Sequence, residues 1–255
     1  MPLYTTDAII LRTYKLGEVD RIVVFLTRDR GKRRGVAHGA RRMRSRFGGA
    51  LEPMTRVGVT YFEKESRDLV SLNYAEAISS PLMSAGGEGL GYAGYFAELI
   101  DECAQEADPN ETLYRLGSAM VDALVAGTPV EPLARYFEYW LLRLQGVYPS
   151  VLACAACGAA LGRDGATAAV LMPGDHQYLC AGCARTTAGS AVALSGESVA
   201  FLRAAGTMPP GRIAAAVVSE RALRELEIVH RSLIATHLEK ELKSVRVLRE
   251  MRGRA

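Results

Sequence analysis

No stretch of the sequence approaches the roughly 18 to 20 consecutive apolar residues that a membrane-spanning helix needs, which argues against a membrane protein. The opening residues, MPLYTTDAIILRTYK, lack a charged start followed by a long apolar run and a small-residue cleavage site, so the expected compartment is the cytoplasm. Catalytic signatures are scarce too. There is no Walker loop, nucleophile elbow or H-E-x-x-H, and the four histidines do not gather with carboxylates around a glycine-rich turn. An enzyme acting on a small-molecule substrate is therefore the weaker class, and no catalytic residue is assigned. With only five cysteines, two disulfides are the most the chain could form, and in a reducing compartment clustered pairs favour a metal over cystine. What remains, at 255 residues with 49% hydrophobic and 23% charged residues, is an ordinary globular composition. It is enough for two or three small domains with cores of their own.

Against that background one stretch stands out. Residues 28–49, RDRGKRRGVAHGARRMRSRFGG, carry nine Lys or Arg against the single Asp29, a net charge of +8 in a chain whose total is +3. Such a block repels itself and is held in place mainly when a polyanion neutralises it, while its glycines suggest a hairpin turn and a mobile loop. Most of the charge is arginine, whose planar fork grips phosphate bidentately and stacks on bases, so a nucleic-acid groove suits it better than a solubilising surface.

The rest of the charge is unevenly spread. Residues 1–80 are net +6, 81–150 net −7, 151–189 neutral and 190–255 net +4, which implies surfaces with different partners or domains that attract one another. Residues 5–76 read as five short strands rich in Val, Ile, Thr and Tyr. In the fourth, Val57, Val59 and Tyr61 alternate with Arg56, Thr60, Phe62 and Lys64, so one face looks inward and the other presents cations around a ring. In the second, Ile22, Val24 and Leu26 oppose Arg21, Val23, Phe25 and Thr27. Five strands with a long basic loop favour an OB-fold over an SH3-like barrel, and the OB-fold binds oligonucleotides. The candidate nucleic-acid contacts are Lys32, Arg33, Arg34, Arg41, Arg42, Arg44, Arg46, Arg56 and Lys64, with Phe47 and Phe62 as candidate base stackers.

After Pro81 the period becomes helical over 88–107, 111–126 and 131–146. Gly89, Gly91 and Gly94 spell G-x-G-x-x-G, but no apolar strand feeds them, so they read as a helix start and a close helix contact. Next come Cys154-Ala-Ala-Cys157 and Cys180-Ala-Gly-Cys183, two C-x2-C pairs 22 residues apart, the four-thiolate set of a structural zinc. One Zn2+ per chain is expected, closed to water, with His176 as a weak substitute ligand. The intervening Gly/Ala/Pro-rich segment looks unable to bury a useful core, so metal would supply its folding energy. From Ser195 the chain is helical again. His230 and His237, seven apart, read as core or surface residues. The C-terminal helix carries Lys240, Lys243, Arg246, Arg249, Arg252 and Arg254 beside Leu238, Leu242, Val245 and Leu248, a solvated basic end or a site for an anionic partner.

The order of these parts, with DAIILRTYKLGEVDRIVVFLTRDRGK, GARRMRSRFGGALEPM, the Tyr61-Phe62 strand, LNYAEA and the four cysteines, resembles the RecO family of bacterial recombination mediators. The resemblance implies an α+β multidomain protein: an OB-fold over 1–80, a helical domain over 81–150 and 190–255, and an inserted four-cysteine zinc finger over 151–189. It also implies binding of single- and double-stranded DNA, annealing of complementary strands, and partnership with RecR in loading RecA onto strands coated by single-stranded-DNA-binding protein (SSB), with nucleoid association. Lys240, Lys243, Arg246 and Arg249 are then the candidate site for the acidic tail of SSB. The residues alone leave a second class open, an RNA-binding factor or nucleic-acid enzyme with a zinc ribbon and an OB-like barrel.

Overall fold

A computed structural model describes residues 2–64, 68–162, 168–187, 189, 191–216 and 218–252. Its contacts divide the chain into two compact units, residues 1–130 with 242–255, and residues 131–241.

The first unit is built on a closed barrel of β1 (Leu3–Leu16), β2 (Asp20–Thr27), β3 (Lys32–Ala37), β4 (Arg56–Phe62) and β5 (Val70–Ser79), in the order β1-β2-β3-β5-β4. Only the closing pair, β3 with β5, is parallel. The alternation of β4 holds: Val57, Val59 and Tyr61 are fully buried, and they share the barrel interior with Ala8, Ile10, Val23, Phe25 and Leu72. On β1 and β2 the other face is buried as well, through Ile9, Leu11, Val24 and Leu26. With both faces buried the hairpin reads as a nearly continuous apolar run, and helices pack on the β1 part of that other face. They are α1 (Gly87–Cys103) and α2 (Glu111–Val125), the latter capped by Asn110, whose side chain accepts from the Leu113 amide at 2.9 Å. Gly117 permits their approach, since a Cβ there would sit 2.9 Å from Ile9 and 3.1 Å from Ile100.

Charge follows the same geometry. Acidic side chains of the helices and their connections meet cations of the barrel: Glu98 and Asp101 on Arg12 at 3.6 and 3.4 Å, Asp101 on Lys32 at 3.2 Å, Glu106 on Arg34 at 3.7 Å, Glu111 on Arg28 at 3.3 Å and Asp122 on Arg56 at 3.0 Å. The acidic and basic segments attract one another within one unit. The unit is completed by α7 (Lys243–Arg252), which returns to α1: the amides of Lys243 and Ser244 donate to the Glu98 carboxylate at 3.1 and 2.7 Å. Gly91 lies under Leu248 and Met251 of α7, so it is a helix-contact glycine, and α1 is followed by another helix rather than by the parallel strand of a dinucleotide-binding unit.

The second unit contains α3 (Val130–Leu144) apart from its first residue, a small sheet of β6 (Ala169–Met172), β7 (Gln177–Leu179) and β8 (Val192–Leu194), the one-turn α4 (Ala181–Ala184), α5 (Gly196–Ala205) and α6 (Glu220–Leu238). The segment between the cysteine pairs does bury apolar surface, contrary to its Gly/Ala/Pro-rich look. All four residues of β6 are buried, with Leu161, Tyr178 and Leu179. Deeper in this unit His230 is fully buried, with Nδ1 2.8 Å from Glu138 Oε2 and Nε2 3.0 Å from the Tyr148 hydroxyl, while Glu138 also takes Arg135 at 3.0 Å. His237 is exposed. Among the described residues, no helix is long and apolar enough to cross a membrane.

Candidate nucleic-acid interface and cysteine cluster

The basic loop follows β3 and is held at both ends. At its start Asp20 accepts the Gly39 amide at 2.7 Å and lies 2.8 Å from His38 Nδ1, contacts that hold its carboxyl below the usual range. The Arg41 amide donates to the Val19 carbonyl at 2.9 Å, and the Arg41 guanidinium donates to the carbonyls of Gly17 and Glu18 at 3.0 and 2.8 Å. The loop is thus sewn to the β1–β2 turn. At its far end Phe47, Ala50, Leu51 and Met54 drop into buried positions. Glycine and charge predict a mobile loop; apolar residues beyond the charged run instead give it an anchored base.

That anchoring corrects one assignment. Phe47 is only 2% exposed and belongs to the barrel core, so its ring cannot stack a base without leaving that core. Burial of a full aromatic side chain outweighs what one stacked base returns. Phe62 and Lys64 are half-buried at the outer end of β4.

The cations separate into two groups. Lys32, Arg33, Arg34 and Arg56 face carboxylates: Lys32 also donates to the Asp101 carbonyl, Arg33 reaches Glu63 at 3.0 Å, and Arg56 bonds the Ser118 hydroxyl at 2.7 Å besides Asp122. Lys32, Arg34 and Arg56 fasten the barrel to the helices and their connections, and Arg33 ties β3 to the residue that follows β4. The side chains of Arg42 and Arg44 are exposed and make no hydrogen bond or ion pair among the described residues. Arg46 is exposed, rests over the Phe47 ring at 5.1 Å and makes one long bond, 3.5 Å, to the Leu72 carbonyl. The structure therefore leaves Arg42, Arg44 and Arg46 open to solvent, with Arg41 retaining spare donors.

The four cysteines, far apart in sequence, meet in the second unit. Their sulfurs all lie within 4.8 Å of one another, and Cys157 and Cys180 are 3.9 Å apart. Four sulfurs at about 2.3 Å from one zinc would stand about 3.8 Å apart, whereas a disulfide needs about 2.05 Å. Each pair sits in a knuckle. Gly158 adopts φ +72 and donates to the Cys154 carbonyl at 2.9 Å, and Cys180 caps α4 by accepting the Cys183 amide at 3.5 Å. Burial opposes ionisation of Cys154, yet the amides of Cys180, Cys157 and Ala156 prevail and bring it down to about 6. Hydrogen bonds with the Cys180 and Cys157 sulfurs push Cys183 up to about 12. Four crowded thiols cannot all ionise alone, and a bound cation removes that conflict. His176 is outside the cluster, with Nδ1 3.3 Å from the Val147 carbonyl.

At the C-terminus the apolar stripe is already used. Leu242 is buried, and Leu248 and Met251 lie against Gly91 of α1. Arg246 is exposed and pairs with Glu250 at 3.8 Å, while Lys240 falls in the second unit and Lys243 in the first. Arg254 lies outside the described residues.

A closed five-stranded barrel with a cationic loop, helices and a four-cysteine knuckle pair defines a multidomain protein of the OB-fold class. Comparison with known proteins gives the family. The family model described as Recombination protein O N terminal matches residues 1–81, and that described as Recombination protein O C terminal matches 86–246. The chain is similar to the DNA repair protein RecO of Koribacter versatilis, at 34% identity over 96% of this chain and 98% of that one. It is similar also to those of Geobacter metallireducens, at 36% over 96% and 97%, and Anaeromyxobacter sp. (strain K), at 35% over 95% and 94%. The chain belongs to the RecO family of DNA repair proteins.

Proposed function

We propose that the protein is a non-catalytic recombination mediator, which binds single- and double-stranded DNA, anneals complementary strands, and acts with RecR to load RecA onto SSB-coated single strands at the nucleoid. The observation that carries the reading is a match to the RecO family over nearly the whole chain, joined to an anchored loop whose exposed arginines suit phosphate. Arg42, Arg44 and Arg46 would hold backbone phosphates, with Arg41 contributing from the base of the loop. Lys32, Arg33, Arg34 and Arg56 act mainly as internal ties.

The cysteines Cys154, Cys157, Cys180 and Cys183 would hold one structural Zn2+, which when bound supplies a cross-link between the two knuckles. Since β6 and its neighbours bury apolar residues of their own, the metal adds to that core rather than replacing it. For the acidic tail of SSB, Lys240, Lys243, Arg246 and Arg249 offer charge of the right sign. On α7, whose apolar side packs on α1, Lys243, Arg246 and Arg249 are exposed.

The test is annealing of complementary oligonucleotides by the pure protein, with and without magnesium, followed by RecA assembly on SSB-coated strands with and without RecR. Acceleration of both is expected. An absence of annealing together with nucleotide hydrolysis or strand cleavage would overturn the reading.

A further inference from the structure

Within the anchored loop one large apolar side chain stands fully in solvent. Met43, between Arg42 and Arg44, is 102% exposed, while Met54, in the same connection, is 0% exposed. An exposed thioether alone means little. Here it stands in the middle of the only part of the basic block whose cations are unpaired among the described residues, at a place the backbone fixes. Asp20 and the Val19 carbonyl hold residues 38–41, and Phe47 holds the other side in the barrel. Where Arg41 meets the β1–β2 connection, Leu16 and Val19 are exposed at 37% and 38%. Cations on both sides of an apolar projection are the chemistry of a backbone-gripping wedge: arginines hold successive phosphates, and the apolar side chain enters between the bases they carry.

We propose that Met43 inserts between adjacent bases of the bound single strand and holds them unstacked, with Arg42, Arg44 and Arg46 on the flanking phosphates. This rests on the nucleic-acid reading of the loop given above. The occupant is a nucleic-acid strand, since the exposed side chains on both sides of the thioether, Arg42, Arg44 and Arg46, are all cations and the wedge is flexible and polarisable enough to sit against any base. An unpaired strand with its bases separated is also the form that a complementary strand can pair with.

The test uses the full chain and oligonucleotides carrying one 2-aminopurine, whose fluorescence rises when the base is unstacked. Wild-type protein should raise the signal on binding. Met43→Ala should bind about tenfold more weakly, keep the wild-type dependence on salt, and lose the fluorescence rise, with Met43→Leu restoring both. Because the side chain is fully exposed, the thermal midpoint should not move. Wild-type affinity and fluorescence in Met43→Ala would overturn the wedge; if the Arg42/Arg44/Arg46→Ala variant had lost binding in the same series, the phosphate site would stand. If that arginine variant bound like wild type, the parent reading would fall and the wedge with it. Met43-dependent binding of an acidic peptide, with no change in strand fluorescence, would likewise overturn the proposal in favour of a protein partner.

Discussion

Counting open cations gives a quantitative expectation for DNA binding that differs from what the raw charge of the loop implies. Nine Lys and Arg in residues 28–49 would release many counterions if all met phosphate. Lys32, Arg33, Arg34 and Arg28 already face Asp101, Glu63, Glu106 and Glu111, and Arg30 lies over the Tyr4 ring at 3.7 Å. Arg42, Arg44 and Arg46 remain, with part of Arg41. Three to four neutralised phosphates, at roughly 0.7 per phosphate for a single strand, give a slope of log K against log salt of about −2 to −3. Arg42/Arg44/Arg46→Ala should flatten it to between about 0 and −1 and weaken binding to all sequences alike. Fluorescence anisotropy of a labelled oligonucleotide between about 50 and 300 mM salt measures both. A wild-type slope of about −5 or steeper would show that the ion-paired cations leave their carboxylates for DNA and refute the count. A triple variant with the wild-type slope would move the site off this loop.

Other consequences follow from the same structure. Elemental analysis should find one zinc per chain, and Cys154→Ser or Cys183→Ser should lower the thermal midpoint while leaving annealing largely intact, because the cluster lies in the unit that lacks the barrel. Gly31→Ala should destabilise by about 2 to 4 kcal/mol in denaturant unfolding, since Gly31 has φ +68 and a Cβ would stand 2.3 Å from the Asp108 carbonyl oxygen. Glu138→Ala should cost about 3 to 5 kcal/mol by removing the carboxylate that both Arg135 and His230 meet in the interior. Burial lowers the His230 pKa against the opposing pull of Glu138. The unfolded chain therefore binds the proton more readily, and stability is lost as pH falls below the ordinary histidine value of about 6.5. Thermal unfolding between about pH 7 and 5 should show that loss, and His230→Gln should reduce it.

The barrel is legible in the sequence because its strands keep a period of two wherever only one face is covered, as in Val57, Val59 and Tyr61. It is harder to read at Val24 and Leu26, where the second face is buried as well. The cysteine pairs are legible because zinc chemistry constrains spacing within each pair. The ion pairs are not: Lys32 meets Asp101 across 69 residues and Arg56 meets Asp122 across 66, and nothing local in either stretch selects the partner. The same holds for α7, whose Ser244 amide reaches Glu98 across 146 residues and so joins the C-terminus to the first unit. Phe47 follows the charged run directly, and in sequence a ring beside arginines looks like a stacker. Only the tertiary structure shows that it anchors the loop. The short strands β6 to β8 escape sequence reading because three or four residues among glycine and alanine carry no readable period.

These hidden pairings bear on how the proposed annealing could work. A protein that brings two complementary strands together must release the duplex, so its hold on each strand has to be broad in sequence and limited in strength. If all nine cations of residues 28–49 met phosphate, the grip would be strong at low salt and would oppose release. By turning Lys32, Arg33 and Arg34 towards Asp101, Glu63 and Glu106, the fold uses nearby positive charge to fasten the barrel and leaves a small set of arginines outside. Charge reversal tests this division of labour. Asp101→Lys should raise strand affinity by freeing Lys32 and Arg12, steepen the salt slope, and slow annealing turnover at low salt, at some cost in stability. Tighter strand binding accompanied by unchanged or faster turnover would show that release does not depend on the paired cations.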